Sequence, residues 1–567
     1  MKKSTAFAFA IAGLLATSAA PAPVRYSVLI HGGTIYDGSG STPYVGDVAL
    51  TGDRIVYVGP HAPGSAERVI DATNKAVSPG FINMLSWAVE SLIADGRGMS
   101  DTYQGVTLEV FGEGNSMGPY TPEMKKLELK RQGDIKFPIT WTTLGQYLEF
   151  LQRKGVTPNV ASFVGATTVR VHELGEKDVQ PTALQLKRMR ALVHQAMKEG
   201  ALGVGSSMIY APATYAKTPE LTALASEAGK CGGMYISHIR DEGPKLLEAI
   251  DELVTISRDS HTPAEIYHYK QAGTANWGKI DAAIARVNNA RARGQRITAD
   301  MYTYAASSTG FDAAFPTWMQ DGGLEAWIGR LKDPAMRSKA IAEMHGPKGT
   351  ENAKLVVDDP EKVLLVGFKN PKLKPLTGKT LGEVARERRK PPEEVAADLI
   401  VEDGSRIQLV YFSMSEDNVR REVGLPWMSF GADAASQAPE GVFLKSSTHP
   451  RAYGNVARLL GHYVRDEHAT TLQDAVRRLT SLPATNLSIK QRGWLKPGYY
   501  ADVVVFDPAT IRDNATYAKP QQLANGVEDL FVNGVQVMKD GIHTGAKPGR
   551  VVRGPGWTGW PGGGACH

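Results

Sequence analysis

Gly233-Met-Tyr-Ile-Ser-His238 and Glu265-Ile-Tyr-His268 decide how this chain is read. Each is a short apolar run with β-branched and aromatic residues, and each ends in a histidine. Between them, Lys245 to Arg258 carries helical periodicity. Strand, helix and strand at this spacing point to parallel strands joined by crossover helices. The same unit recurs on either side. Val106–Phe111, Ala201–Gly205, Ile297–Asp300, Gln408–Phe412 and Trp427–Gly431 are further candidate strands, and Lys187 to Lys198 is a further candidate helix. The count fits a (β/α)8 barrel, expected over residues 79–497, with a looser Pro/Lys-rich insertion at about 313–400.

The two ends of the chain have a different texture. Tyr26–Ile30, Val45–Leu50, Asp53–Val58 and Arg68–Asp71 are short strand-like runs within residues 24–78. Ala501–Phe506 and Val527–Gly534 repeat that pattern within 498–553, the second ending in an Asn-Gly turn signal. One β-sandwich assembled from both termini is expected. Gly554–His567, rich in glycine, proline and tryptophan, is expected to be a flexible tail.

Composition narrows the function classes. The 567 residues are 42% apolar and 22% charged, with a net charge of +5, which is ordinary for a globular protein. No long basic run with interleaved aromatics is present, so nucleic acid is not an expected partner. Residues 1–20 read as a secretory signal: Lys2 and Lys3, an apolar segment from Ala6 to Ala16, then Ser18-Ala-Ala20 as the cleavage site. No later run approaches the ~20 apolar residues that a membrane span needs. A periplasmic or secreted protein is expected, without a lipid-anchoring cysteine after the signal. Cys231 and Cys566 are the two cysteines. They are expected to be free thiols, with one disulfide as the alternative.

In a barrel, the groups at the C-terminal strand ends converge on one site. His238 and His268, one repeat apart, form a plausible metal pair. Taken singly, each is better read as a hydrogen-bonded structural histidine; it is the pair that favours a metal. Asp433 follows the last candidate strand and suits a general acid/base, or else a helix N-cap. Glu113, between Gly112 and Gly114, suits a third metal ligand, or else a pocket acid. Glu109 on the strand is its competitor. Lys270, Tyr210, Tyr302, Tyr304, Ser307 and Ser308 also lie just past strand ends, where Lys and hydroxyl groups suit a substrate carboxylate.

These residues fall in blocks that resemble the N-acyl-D-amino-acid deacylases, or D-aminoacylases, of the amidohydrolase superfamily. The blocks include Gln104-Gly-Val-Thr107, Gly200–Ser206 with Tyr210-Ala-Pro212, Ser237-His-Ile-Arg-Asp-Glu-Gly243 and His268-Tyr-Lys270. They continue through Ala299–Tyr304, Met414–Asp417, Gly431-Ala-Asp433, His449-Pro-Arg-Ala-Tyr-Gly454, Leu479–Ala484, Gly498–Asp502 and His543–Gly549. The resemblance implies a (β/α)8 barrel with a flanking β-sandwich, zinc, and hydrolysis of an amide beside a carboxylate-bearing carbon. It makes His238 and His268 zinc ligands and Asp433 the catalytic acid/base. Lys270, Tyr210, Tyr302 and Ser307 become substrate-pocket residues.

Three departures matter. The family opens its barrel with Pro-Gly-Phe-Ile-Asp-x-His-x-His; this chain has Ser78-Pro-Gly-Phe-Ile-Asn-Met-Leu-Ser-Trp87, with Asn83, Leu85 and Trp87 in the ligand frame. The family's Gly-Asn-Cys-Gly loop is Gly112-Glu-Gly-Asn115, one residue shorter and without the cysteine ligand. Val164-Gly-Ala166 stands where Gly-His is common. The resulting expectation is one zinc held by Glu113, His238 and His268, with Trp87 lining the substrate pocket. The expected reaction is cleavage of N-acyl amino acids, of the D series by resemblance, or of short peptides. Zinc would activate a water, and Asp433 would move the proton. Two alternatives stand: a dipeptidase or cyclic-amide or ester hydrolase on the same site, and a non-catalytic binding protein that has lost the metal.

Overall fold

A computed structural model describes residues 1, 24–347 and 349–566. The signal segment, from residue 2 on, lies outside the described residues. Among those described, eight parallel strands form the barrel. They are Phe81–Asn83, Val106–Phe111, Asn159–Ser162 continued by Val164–Gly165, Gly203–Ser207, Met234–His238, Ala264–Ile266, Ile297–Met301 and Met428–Phe430. Each pairs in parallel with the next. The ring closes where the Met84 N–H donates to the Phe430 carbonyl at 3.1 Å and Ser86 bridges Ala434.

The strands are buried along their whole length, as in Met234–His238, because helices cover the outside and side chains fill the inside. Leu85, Val110, Phe163, Met234, Ile236 and Tyr267 pack together within that interior. The crossover helix Leu246–Ser260 turns Leu246, Ile250, Leu253 and Ser257 inward, the spacing of one helical face. Another, Ala183–Lys198, starts at a capping box in which Thr182 and Gln185 satisfy each other's backbone N–H groups.

Two sequence expectations are corrected here. Gln408–Tyr411 is not a barrel strand. It pairs antiparallel with Ser307–Thr309 and Val363–Gly367 in a separate three-stranded sheet. That sheet and its helices have their own core, with Phe315, Trp327, Val356, Leu381 and Leu399 among its buried residues. The third barrel strand is instead Asn159–Ser162, whose polar ends hide its strand character in the sequence.

The N-terminal strands Arg25–Ile35, Tyr44–Thr51, Arg54–Gly59, Ser65–Asp71 and Ala76–Pro79 join Val503–Phe506, Val527–Val532, Val535–Lys539 and Ile542–His543 in one nine-stranded sheet. The junction is the antiparallel pair of Ala76–Pro79 with Val503–Phe506. Val28, Val48 and Ile55 from one end of the chain share a core with Val503, Val505 and Phe531 from the other. The first strand runs on through Gly32-Gly33, where the register shifts as a bulge.

The C-terminal segment is also corrected: it is anchored, not flexible. Cys566 is disulfide-bonded to Cys231 across 335 residues. The Gly554 N–H donates to the Gly200 carbonyl, and the Trp560 indole donates to the Gly554 carbonyl. The free-thiol expectation fails because glycines let the segment fold back onto the barrel: a side chain at Gly564 would meet the Gly556 carbonyl oxygen at 2.2 Å. Thiol titration of the unfolded, unreduced protein is therefore expected to find no free thiol. Cys566→Ser should lower stability by about 2–4 kcal/mol, measured by chemical denaturation.

Candidate active site

The C-terminal ends of the barrel strands open into a cavity of about 610 Å³. Glu113 reaches it on the loop after the second strand. Gly112 and Gly114 flank it at φ of 112° and 70°, and a side chain on Gly114 would meet the Ser207 Cβ at 2.4 Å. The two glycines let the loop pass against the fourth strand and lay the carboxylate at the centre of the ring. His238 ends the fifth strand, and His268 follows the sixth. One oxygen, Glu113 Oε1, lies 2.9 Å from His238 Nδ1 and 3.0 Å from His268 Nε2. All three residues are buried, with potential ligand atoms within 4.8 Å of one another.

His268 holds an unusual backbone, φ 36°, and its N–H donates to Asp300 Oδ1 at 2.8 Å. Asp433 has φ 49°, and its N–H donates to the Leu85 carbonyl at 2.8 Å. Left-handed backbone at two non-glycine strand ends marks places where the surroundings dictate conformation. No helix starts at Asp433, so the N-cap reading falls. Its carboxylate faces the cavity: Oδ1 accepts from the Trp87 indole N–H at 3.1 Å, and Oδ2 lies 2.8 Å from Arg451 Nη2. The same indole N–H is 3.0 Å from Glu113 Oε2. Glu109 is not part of this group. It stays within the barrel wall, where Asn83 donates to it at 3.0 Å, and Asn83 in turn accepts from the Ala432 N–H.

The other residues singled out in the sequence line the same cavity: Lys270, Tyr210, Tyr302 and Ser307. Lys270 Nζ is 2.6 Å from Glu242 Oε1 and 2.7 Å from His268 Nδ1. The Tyr210 hydroxyl is paired with Thr309 Oγ1 at 2.7 Å. The Tyr302 ring lies under the Arg451 guanidinium at 4.3 Å. Ser307 faces Ser413 across 3.3 Å. Tyr304 points away, donating to Asp513.

Three residues escaped the sequence reading. Glu242, four positions after His238, lies 3.0 Å from His268 Nδ1. It accepts the Nδ1 proton, so that a metal in the cluster would take the place of the proton on His268 Nε2. Arg451 is 2% exposed, yet its Nε and Nη1 have no protein partner. It opens the helix Arg451–Arg458, and that helix start is fixed by His449, whose Nδ1 accepts the Arg451 N–H while Nε2 donates to the Ala306 carbonyl. The signal for Arg451 was its place in the His449-Pro-Arg block. Arg406 comes from the inserted sheet and stacks over Tyr210 at 5.1 Å; nothing in Ser405-Arg-Ile marks it.

The electrostatics of the cluster favour positive charge at its centre. Burial pushes the Glu113 carboxyl up, but His268 and His238 outweigh it and hold it well below the usual range. Burial and Lys270 push His268 down, but Glu242 and Glu113 outweigh them and carry it up to about 10. Burial pushes Glu242 up, but Lys270 and the two histidines hold it well below the usual range. Two imidazoles and one carboxylate, with His238 Nε2 buried and unpartnered, make a donor set that fits zinc.

Comparison with known proteins identifies the family. The chain is 30% identical over 531 residues to D-aminoacylase from Alcaligenes xylosoxydans xylosoxydans, covering 93% of this chain and 97% of that protein. The chain belongs to the D-aminoacylase family of amidohydrolases. The Amidohydrolase family profile matches residues 445–538. A solved D-aminoacylase structure, concerned with its binuclear metal centre, one-metal activation and second-metal attenuation, has 30% identity and a TM-score of 0.76 over 93% of this chain and 100% of that one. An N-acyl-D-glutamate deacylase from Bordetella bronchiseptica, solved with zinc and a phosphonate inhibitor that mimics the tetrahedral intermediate, has 27% identity and a TM-score of 0.75 over 94% and 100%.

Two substitutions probe the cluster. Glu113→Ala is expected to abolish zinc retention on dialysis, read by elemental analysis. Glu242→Gln should weaken zinc affinity about 10–100-fold, read by chelator competition, with the circular dichroism spectrum unchanged.

Proposed function

We propose that this chain hydrolyses the amide bond of N-acyl-D-amino acids, using one zinc ion held by Glu113, His238 and His268. The observation that carries the reading is the placement of Asp433 and the unpartnered Arg451 Nε and Nη1 beside that cluster, in one cavity. When bound, zinc supplies Lewis acidity, polarising an acyl carbonyl and lowering the pKa of a water. The remaining work falls to the chain's own groups.

Arg451 offers Nε and Nη1, buried donors on different edges of the guanidinium, for charge-assisted hydrogen bonds to a substrate carboxylate. Tyr302 supports the guanidinium from below through its ring face. A substrate carboxylate held there presents the neighbouring amide toward Asp433 and the metal ligands. Asp433 takes a proton from the attacking water and returns it to the departing nitrogen. Burial pushes its carboxyl up, against the pull of Arg451, and the net direction is upward, as a proton carrier requires. Its two anchored oxygens keep further lone pairs for that proton. Lys270 and Glu242 hold His268 in place. The Arg406 and Thr309 wall faces the rest of the substrate.

A binding protein without catalysis has no use for two imidazoles, a carboxylate ligand and a separate buried acid in one cavity, so the hydrolase reading is preferred. We also propose that the chain is exported. The signal-like start and the Cys231–Cys566 disulfide both suit an oxidising compartment.

Asp433→Asn is expected to lower kcat by about 10²–10⁴-fold on an N-acyl-D-amino acid while zinc content stays at the wild-type level. Unchanged turnover would remove Asp433 from the mechanism. Arg451→Met should cost about 2–5 kcal/mol in kcat/KM toward carboxylate substrates, with a smaller loss toward the matching amides that reflects its contact with Asp433.

A further inference from the structure

The four carboxylate oxygens of Glu113 and Asp433 all have partners. Glu113 Oε1 faces the two imidazoles, and Asp433 Oδ2 faces Arg451. The remaining two, Glu113 Oε2 and Asp433 Oδ1, share one donor, the Trp87 indole N–H, at 3.0 and 3.1 Å. A zinc ion held by both of those oxygens would need Zn–O distances of about 2.0–2.2 Å, which places it in the volume that the indole edge fills. An indole N–H is a donor only and cannot itself ligate. The preceding turn adds to the hold, since the Leu85 carbonyl accepts the Asp433 N–H at 2.8 Å.

We propose that the Trp87 indole N–H stands in for a second cation: it bridges Glu113 and Asp433, closes the site to a second divalent ion and aims Asp433. This deepens the one-zinc reading and rests on it. Trp87 is then a positioning residue that acts through Asp433. The chain works with one ion only, and the second-metal attenuation named for D-aminoacylase has no place to occur.

The test is zinc stoichiometry of the full mature protein across a zinc titration, by calorimetry and elemental analysis, with turnover read in parallel. Wild type is expected to stop at one zinc per chain and to hold its turnover at excess zinc. Trp87→His removes the plug, supplies a ligand, and should take up a second zinc. Trp87→Phe keeps the ring and loses the N–H. It should stay at one zinc with kcat down about tenfold, the size of one lost charge-assisted hydrogen bond, with KM little changed and the acid limb of the pH–kcat profile displaced. A second zinc in wild type would overturn the proposal. So would a Trp87→Phe enzyme with wild-type kcat and pH profile, or a folded Trp87→His variant that never exceeds one zinc. Wild type that binds no zinc would instead sink the hydrolase reading beneath it.

Discussion

A single carboxylate oxygen, Glu113 Oε1, sits where two buried imidazoles meet. Three strand ends, the second, fifth and sixth, have to arrive together for that contact to exist. A carboxylate taken this far from water is costly unless positive charge answers it. The answer comes from His238 and His268, and from Lys270 through Glu242. The backbone is shaped to the same end: glycines at positive φ on each side of Glu113, and His268 and Asp433 held in left-handed conformations.

Much of this arrangement was legible in the sequence, because barrel strands buried on both faces read as apolar runs and the residue after each run faces the cavity. His238, His268, Glu113, Asp433, Lys270, Tyr210, Tyr302, Ser307 and Trp87 all line one cavity. What escaped was non-local. Gln408–Tyr411 has the composition of a barrel strand, and only its partners reveal the inserted sheet. Glu242 lies in a loop and Arg451 opens the helix Arg451–Arg458, and at neither place does a period announce which way a side chain points. The Cys231–Cys566 pairing depends on a chain path that composition does not encode.

The ligand frame also shows how a local loss is compensated. Leu85 is buried in the barrel interior, and Trp87 turns a nitrogen toward two acids. An apolar residue and an indole thus stand where the family has histidines, and neither leaves a carboxylate oxygen without a partner.

The cavity is built from two bodies with separate cores. The ligands, Asp433 and Arg451 belong to the barrel and its loops, whereas Arg406, Thr309 and Phe368 belong to or border the inserted sheet. Mutations that reshape the inserted wall disturb packing that the barrel does not share. Selection can therefore retune which acyl group or side chain is admitted while the hydrolytic apparatus stays fixed. The insertion is, in evolutionary terms, the exchangeable half of the enzyme.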